Sequence, residues 1–480
     1  MASRAPTFLA NDVVRGASLL TADSRAVKDG AIFVALRGTQ TDGHHFIDDA
    51  IARGARTIVM ERTRELPSGV RGIIVPDSAR ALAELASAFY DAPAQALTMI
   101  GVTGTNGKTT TVQMIAAMLS AGGVPAGILG TLGASFLEHR IGLQNTTPLA
   151  NELHAVLAQL RERGARAVAM EVSSHALALQ RVAGIRFAVA VLTNVTRDHL
   201  DFHRTFESYA AAKRTLFEAC DCAVFNADDG WGATWAQEVD RSCTLTYSMR
   251  GNADVVAQDI RAGSKGSSFS VDGRRYELSL PGRFNVANAL AAISTVRALR
   301  LDSRYAAEGL AALGGLPGRM ERLSAGGLEV FIDYAHTPDA LACALGAVRE
   351  IGHGCVTLVF GCGGDRDQGK REPMGAIAAE MADRIILTSD NPRGEDPSQI
   401  ASDIAKGMAA KEYELVLDRR SAIESAIERA AANDVVLVAG KGHENYQVVG
   451  ERVFPFDDRE VAAAALRRRA ARTTDDADLR

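Results

Sequence analysis

Short apolar, β-branched runs recur along this chain, at 32–36, 57–60, 72–75, 167–172, 188–192, 330–332, 356–360, 384–387 and 435–438, with helical stretches between them. Runs this short, apolar at every position, predict strands covered on both faces. Parallel sheets within α/β layers provide that environment. No fixed-period repeat is present. Glycine and proline interrupt the pattern at Asp91-Ala-Pro-Ala94 and at Gly314-Gly-Leu-Pro-Gly318. Such clusters mark loops between elements. They predict three domains of ordinary size. These are a small N-terminal α/β domain (1–92), a central P-loop-type parallel-sheet domain (93–316) and a C-terminal Rossmann-like α/β domain (317–480). Beyond 466 a basic cluster precedes an acidic one, which predicts a frayed helix end and a solvated tail.

The apolar run 97–100 leads into Gly101-Val-Thr-Gly-Thr-Asn-Gly-Lys-Thr-Thr110, and a helical pattern begins near Lys108. A strand, a glycine-rich turn and a helix start form a phosphate cradle. Backbone N–H groups and the helix dipole face the anion, and Lys108 adds a full charge. Thr109 follows the lysine, where a hydroxyl reaches a magnesium ion. The loop is a variant, because Val102 stands where the common pattern has its first glycine.

Composition narrows the partners. At 480 residues the chain is too long for one core, and 47% hydrophobic with 23% charged residues is a globular balance. A net charge of −5 gives no reason to expect nucleic acid or an anionic membrane. No apolar run approaches the roughly 20 residues of a membrane span. The N-terminus lacks a basic-then-apolar secretory pattern. The cysteines Cys220, Cys222, Cys243, Cys343, Cys355 and Cys362 lack zinc-type spacing and are expected to be reduced in a cytoplasmic protein.

Polar clusters follow several predicted strands. Glu171-Val-Ser-Ser-His175 ends one strand, placing Glu171 to hold magnesium directly or through water. Alone, such a glutamate is more often a surface or capping residue. The next strand runs into Thr193-Asn-Val-Thr-Arg-Asp-His199, then Asp201 and His203. Asn285 is a candidate helix N-cap, and Asn288 lies on the same helical face, with an amide suited to a purine edge. Arg319 follows the second linker and is expected to reach across a cleft to phosphate. Asp333 ends a strand and is expected to accept ribose hydroxyls, with Pro338 at the first turn of a helix. Three more loops, Gly361-Cys-Gly-Gly-Asp-Arg-Asp367, Ser389-Asp-Asn-Pro-Arg393 and Gly440-Lys-Gly-His-Glu444, predict one pocket. Arg366 and Arg393 suit a carboxylate, and Glu444 suits an ammonium, so the pocket suits an amino acid.

Gly104-Thr-Asn-Gly-Lys-Thr-Thr110, Glu171-Val-Ser-Ser-His175, Asn194-Val-Thr-Arg-Asp-His199, Asn285-Val-Ala-Asn288, Gly318-Arg-Met-Glu321 and Asp333-Tyr-Ala-His336 occur in the order found in the Mur ligases. The chain resembles that family of ATP-dependent amide-forming enzymes over essentially its whole length. Ser389-Asp-Asn-Pro-Arg393, Asp23-Ser-Arg25 and Asn145-Thr-Thr-Pro148 resemble the members that add meso-diaminopimelate to UDP-N-acetylmuramoyl-L-Ala-D-Glu. The resemblance implies ATP phosphates on Gly104, Thr105, Asn106, Gly107, Lys108, Thr109 and Thr110. It implies nucleotide contacts from Asn288, Arg319 and Asp333, and Mg2+ among Thr109, Glu171 and His199. Ser24, Asn145, Thr146, Thr147, Ser173 and Arg181 would hold the UDP-sugar dipeptide. Arg366, Asp390, Asn391, Pro392, Arg393, Gly440 and Glu444 would hold diaminopimelate. Lys213 matches the lysine that relatives carry as a carbamate, whose charge helps bind a second magnesium; read only as a helix residue, it is a snorkelling surface lysine. No role falls to residues 176–180.

The implied reaction phosphorylates the γ-carboxylate of D-glutamate, and the amine then displaces phosphate. Lys108 and magnesium offset the repulsion of two anions. His199 or a carboxylate takes the amine's proton. Domain closure aligns the amine and excludes water. A monomer without nucleic-acid or membrane partners is expected. The rival readings are a lysine-adding equivalent, a folate polyglutamylating ligase, and an ATP-driven switch without ligase chemistry.

Overall fold

The computed structural model describes residues 7–38, 41–239, 243–352 and 354–478. Each of the nine apolar runs lies wholly or mainly in a strand, with 35–36, 75 and 172 falling just past a strand end, and most of the strands fall into three main sheets. The first is a four-stranded parallel sheet in chain order, Leu20–Thr21, Ala31–Val34, Ala55–Met60 and Arg71–Ile74. The helix Ser78–Phe89 follows it and packs on the helix Ala150–Glu162 of the next body.

The central sheet has nine strands, and its order explains where a ligand sits. The phosphate-loop strand Thr98–Thr103 lies between Ala167–Glu171 on one side and Phe187–Leu192 on the other. From it the chain winds one way through Ala126–Gly130 and back to Ala167–Glu171. It then winds the other way through Phe187–Leu192, Cys220–Asn226, Cys243–Ser248 and Val255–Val256. Winding reverses at Thr98–Thr103, and such a switch point opens a crevice beyond the strand ends. Alternate side chains feed two cores. Ile100, Val102, Ala169, Val189 and Val191 face one, beneath the helices Lys108–Ala121 and Arg283–Ala298. Met99, Val168, Met170, Ala190 and Leu192 face the other, beneath Ala150–Glu162.

The C-terminal sheet runs Glu321–Ala325, Leu328–Asp333, Val435–Ala439, Val356–Phe360, Arg384–Leu387, Glu414–Leu415, parallel except at its first pair. Asp333 pairs with Ala439 and Phe360 with Leu387, so the four following loops leave one edge together.

Several expectations change. Cys222 and Cys243 form a disulfide, not two thiols. They are register neighbours on adjacent parallel strands, with Cα atoms 4.6 Å apart, which brings their sulfurs together. Cys343, Cys355 and Cys362 are free thiols. Asn285 is not an N-cap: Gly282 holds that position, and Asn285 lies inside the helix, donating from Nδ2 to the Pro281 carbonyl at 2.8 Å. The C-terminal helix Asp458–Asp478 does not fray at its basic cluster. Arg468 pairs with Glu424, and Arg469 donates to the carbonyls of Ile427 and Glu428.

Candidate active site in the cleft between central and C-terminal sheets

The phosphate loop is fixed by the neighbouring strand end. The Thr105 N–H donates to the Asn194 carbonyl (2.9 Å) and the Asn106 N–H to Asn194 Oδ1 (2.9 Å). Thr193 Oγ1 donates back to the Asn106 carbonyl at 2.6 Å. Two glycines are required by contact as well as conformation. Gly104 (φ +149°) and Gly107 (φ +88°) lie where a Cβ would collide with Thr193 Oγ1 and Asn288 Oδ1. Gly107 caps the helix Lys108–Ala121, whose first N–H groups have no intrahelical acceptor. Lys108 Nζ donates to the carbonyls of Gly104 (2.9 Å) and Thr105 (2.8 Å). Burial lowers its pKa, while Glu171 and Asp198 favour its charged form.

Glu171 is buried at the next strand end. Its carboxylate accepts from the Thr131 N–H (2.8 Å) and hydroxyl (3.1 Å). His199 has φ +54° and starts a short helix, its Nε2 3.3 Å from Asp198 Oδ2. Burial lowers the His199 imidazole in spite of Asp198 beside it. Burial would raise the Asp198 carboxyl, but His199, His336 and Lys370 outweigh that and keep it ionised. His336 Nδ1 lies 2.8 Å from the Tyr334 carbonyl, which must accept its proton, leaving Nε2 as acceptor.

Lys213 is not a snorkelling surface residue. It is 1% exposed, donates to the Gly104 carbonyl at 2.8 Å and lies over the Tyr209 ring. Burial, then Lys108 nearby, pushes its amine well below the usual lysine range.

Two adjoining cavities occupy the cleft. One, of about 260 Å³, is lined by 105–110, Glu171, His199, Asn288, Arg319 and Asp333. The other, of about 490 Å³, is lined by Asn145, Thr146, Thr147, Ser173 and Arg181 on the central side. Arg366, Asp390, Asn391, Arg393, Gly440 and Glu444 line it on the C-terminal side. Thr146, Ser173, Asp198, His199, Tyr334 and His336 line both, so the cavities meet there. Ser24 lines neither: it is buried in the N-terminal body. Pro392, Gly104 and Lys213 also lie outside the two linings.

The cleft is closed by contacts across it. Arg319 Nη2 donates to Thr109 Oγ1 (2.9 Å), and its guanidinium stacks 4.7 Å from the Tyr334 ring centroid. Asn106 Nδ2 donates to Asp339 Oδ2 at 3.0 Å. Arg197 lies 3.7 Å from Asp367. Glu444 is already engaged: Lys441 Nζ lies 3.0 Å from its Oε2, and Asn391 Nδ2 donates to the same oxygen at 2.8 Å. Sequence reasoning assigned no role to Lys441, Asp198, His336 or Lys370. The first three stood inside quoted motifs, and Lys370 lies three residues after Asp367, inside a polar stretch that continues through Arg371 and Glu372.

Three family patterns match the chain: "Mur ligase family, catalytic domain" over 17–90, "Mur ligase middle domain" over 102–296 and "Mur ligase, glutamate ligase domain" over 318–442. The UDP-N-acetylmuramoyl-L-alanyl-D-glutamate--2,6-diaminopimelate ligase of Gloeobacter violaceus is 47% identical, with 94% of each chain covered. That of Chlorobaculum tepidum is 44% identical, covering 93% of this chain and 92% of the relative. A solved structure of a ligase of that name is 35% identical, covers 94% of each chain and has a TM-score of 0.65. Folylpolyglutamate synthase of Mycobacterium tuberculosis, 17% identical over 80% of this chain and 93% of its own, shares the fold with a TM-score of 0.61. With its phosphate loop, its strand-end acids and its cross-cleft arginine in one crevice, the chain belongs to the Mur ligase family.

Proposed function

We propose that the chain is an ATP-dependent ligase joining meso-diaminopimelate to the D-glutamate γ-carboxylate of UDP-N-acetylmuramoyl-L-Ala-D-Glu, as a cytoplasmic monomer. One observation carries this reading. A phosphate-loop cavity meets a second cavity holding three arginines and a glutamate, and both share one wall. Relatives at 42–47% identity over more than nine-tenths of the chain bear the name of that reaction. An ADP-bound ligase of the same fold supports nucleotide in the first cavity.

A carboxylate is a poor acyl donor, so ATP first phosphorylates it. In the first cavity the N–H groups at 107–110 and Lys108 hold the phosphates, and Asn288 and Asp333 bind the nucleoside. Arg319 then neutralises phosphate charge from across the cleft. Magnesium fits the donors here. The Thr109 hydroxyl keeps a second lone pair beside its bond to Arg319, and Glu171 supplies a carboxylate. Magnesium takes few protein ligands besides phosphates and water, so a hydroxyl and a carboxylate suit it. Thr109, Glu171 and His199 would hold it, and it would screen the phosphate charge. Burial pushes the Lys213 amine well below the usual lysine range, which favours the neutral form that would add carbon dioxide to become a carbamate.

Thr146, Thr147, Ser173 and Arg181 orient the dipeptide so that its γ-carboxylate sits at the shared wall. The amine nitrogen attacks the acyl carbon, the C–O bond to phosphate breaks, and phosphate departs with the electron pair. His199 or a cleft carboxylate takes the amine proton. Arg393 is anchored by Nη1 to the Gly364 carbonyl (2.8 Å) and lines the cavity where the far carboxylate of diaminopimelate would lie. Lysine ends there in an ammonium, which a guanidinium repels.

The test is phosphate release from ATP with UDP-N-acetylmuramoyl-L-Ala-D-Glu, with diaminopimelate or L-lysine in parallel. Release with diaminopimelate, and a product heavier by one such residue, is expected. Release with lysine alone overturns the role of Arg393. Release with neither overturns the ligase reading.

A further inference from the structure

The cations lining the two cavities are nearly all engaged. Lys108 donates to Gly104 and Thr105, Arg319 to Thr109, Arg181 to Thr147, Arg366 to Asp365 and Arg393 to Gly364. Lys441, outside both linings, is paired with Glu444 of the second cavity. Lys370 differs. It is 7% exposed and lines the second cavity, yet among the described residues its ammonium makes no hydrogen bond or ion pair. An ammonium that opens onto a cavity and has no protein partner is available to pair with an incoming anion.

Its position says which anion. Its electrostatic neighbours include Asp198 and His336, which belong to the wall common to both cavities. That wall is where a phosphoryl group passes from nucleotide to acceptor. Lys370 also arrives with the C-terminal body. Gly369 before it lies so close to Arg197 of the central body that a Cβ there would overlap the guanidinium, and Asp367 faces the same arginine. Closure of this contact brings the ammonium into place.

We propose that Lys370 is a catalytic residue of the acyl-transfer step, its ammonium binding the phosphoryl oxygens of the acyl phosphate. The inference rests on the ligase reading above. As the amine lone pair forms the N–C bond, the C–O bond breaks and its electron pair stays on phosphate. Negative charge grows on those oxygens, and a preformed cation there lowers the barrier. The proton lost by nitrogen goes to the cleft base, not to Lys370.

Lys370→Met and Lys370→Arg test this. Melting temperature confirms that each variant folds; if Lys370→Met does not, Lys370→Gln replaces it. Lys370→Met should lower kcat about 10²–10³-fold, with KM for ATP and diaminopimelate changing less than about threefold. Lys370→Arg should recover at least about tenfold of that loss, since its charge is kept. Independently of the acceptor, ADP with magnesium and orthovanadate, a phosphoryl mimic, should raise the wild-type melting temperature above ADP alone. Lys370→Met should lose that increment and keep the ADP effect. An unchanged kcat, a loss confined to the diaminopimelate KM, or an intact orthovanadate increment overturns the proposal. A wild type that makes no amide product brings down the ligase reading instead, and the orthovanadate comparison still judges Lys370.

Discussion

Asp333 is buried at a strand end, and its Oδ2 accepts from the Met320 N–H at 2.7 Å. Burial raises its carboxyl to about 6 even with Arg319 opposing. A ribose hydroxyl donates best to the ionised form. The ATP KM should therefore rise as pH falls through about 6, and Asp333→Asn should raise it at every pH and flatten the profile. A flat wild-type profile would remove Asp333 from the nucleotide site. His154 poses a stability problem instead. It is 1% exposed with neither ring nitrogen bonded, and burial lowers it to about 4. Its folded pKa lies below the unfolded 6.5, so the unfolded chain takes the proton first. Stability is full above that value and falls between pH 6.5 and 4, by up to about 3 kcal/mol. Thermal melts at pH 7.5 and 5 should show this loss, and His154→Leu should lessen it. The strand-end positions of Glu171 and Asp333 were legible because each acid stands at the end of an apolar run. Whether a charge is already paired was not: Glu444 reads as a free acid in sequence, and only the fold places Lys441 against it.

The two loops that carry Asp390 and Gly440 are tied together beneath the site. Arg419 and Asp458, both fully buried, pair at 2.8 and 2.7 Å. The same guanidinium donates to the carbonyls of Ala439 (3.0 Å) and Ser389 (3.4 Å), the residues just before Gly440 and Asp390. Asp458→Ala strands a buried cation and should cost about 3–5 kcal/mol in urea unfolding. The double variant Arg419→Met, Asp458→Leu should regain much of that stability, because a packed apolar pair replaces the ions. It should still raise the diaminopimelate KM, since the two carbonyls lose their donor. A normal KM in the double variant would make the pair purely structural. The hairpin Tyr446–Val449 with Arg452–Pro455 supports the same loops from outside. It accepts the Arg393 N–H on Val448 and donates from Gly450 to the Arg393 carbonyl, holding Arg393 at φ +51°. Buried parallel strands were legible as apolar runs. The antiparallel sheet Gln258–Gly263, Gly266–Val271, Arg274–Leu278 was not, because its burial alternates and leaves no such run. Its one sequence signal is the turn Asp272-Gly273, both residues at positive φ.

Across the whole molecule, the shared wall exists only while the central and C-terminal bodies meet. Sequence placed polar loops at strand ends in each body, but facing loops depend on how the bodies dock, which no local pattern encodes. The bodies dock through both kinds of contact: Arg319 with Thr109, Asn106 with Asp339, Arg197 with Asp367 and Arg283 with Glu350 are polar, while Phe284 packs against the C-terminal core. The polar contacts beside the cleft suit a closure that must reopen for product to leave. They also allow closure to be weakened there without touching the reacting groups. Asp339 donates nothing to the proposed chemistry, yet its carboxylate holds the tip of the phosphate loop from the opposite body. Asp339→Ala should therefore populate an open cleft in which water reaches the acyl phosphate. Phosphate release would then outrun amide formation. The expected ratio of phosphate to amide product rises from about one to about two or more, because exclusion of water is what closure supplies. The ratio is read by coupling a phosphate assay to product chromatography in one reaction. A variant that is slower but keeps a ratio near one would mean that closure serves alignment alone, and that the intermediate is shielded by its own pocket rather than by the meeting of the two bodies.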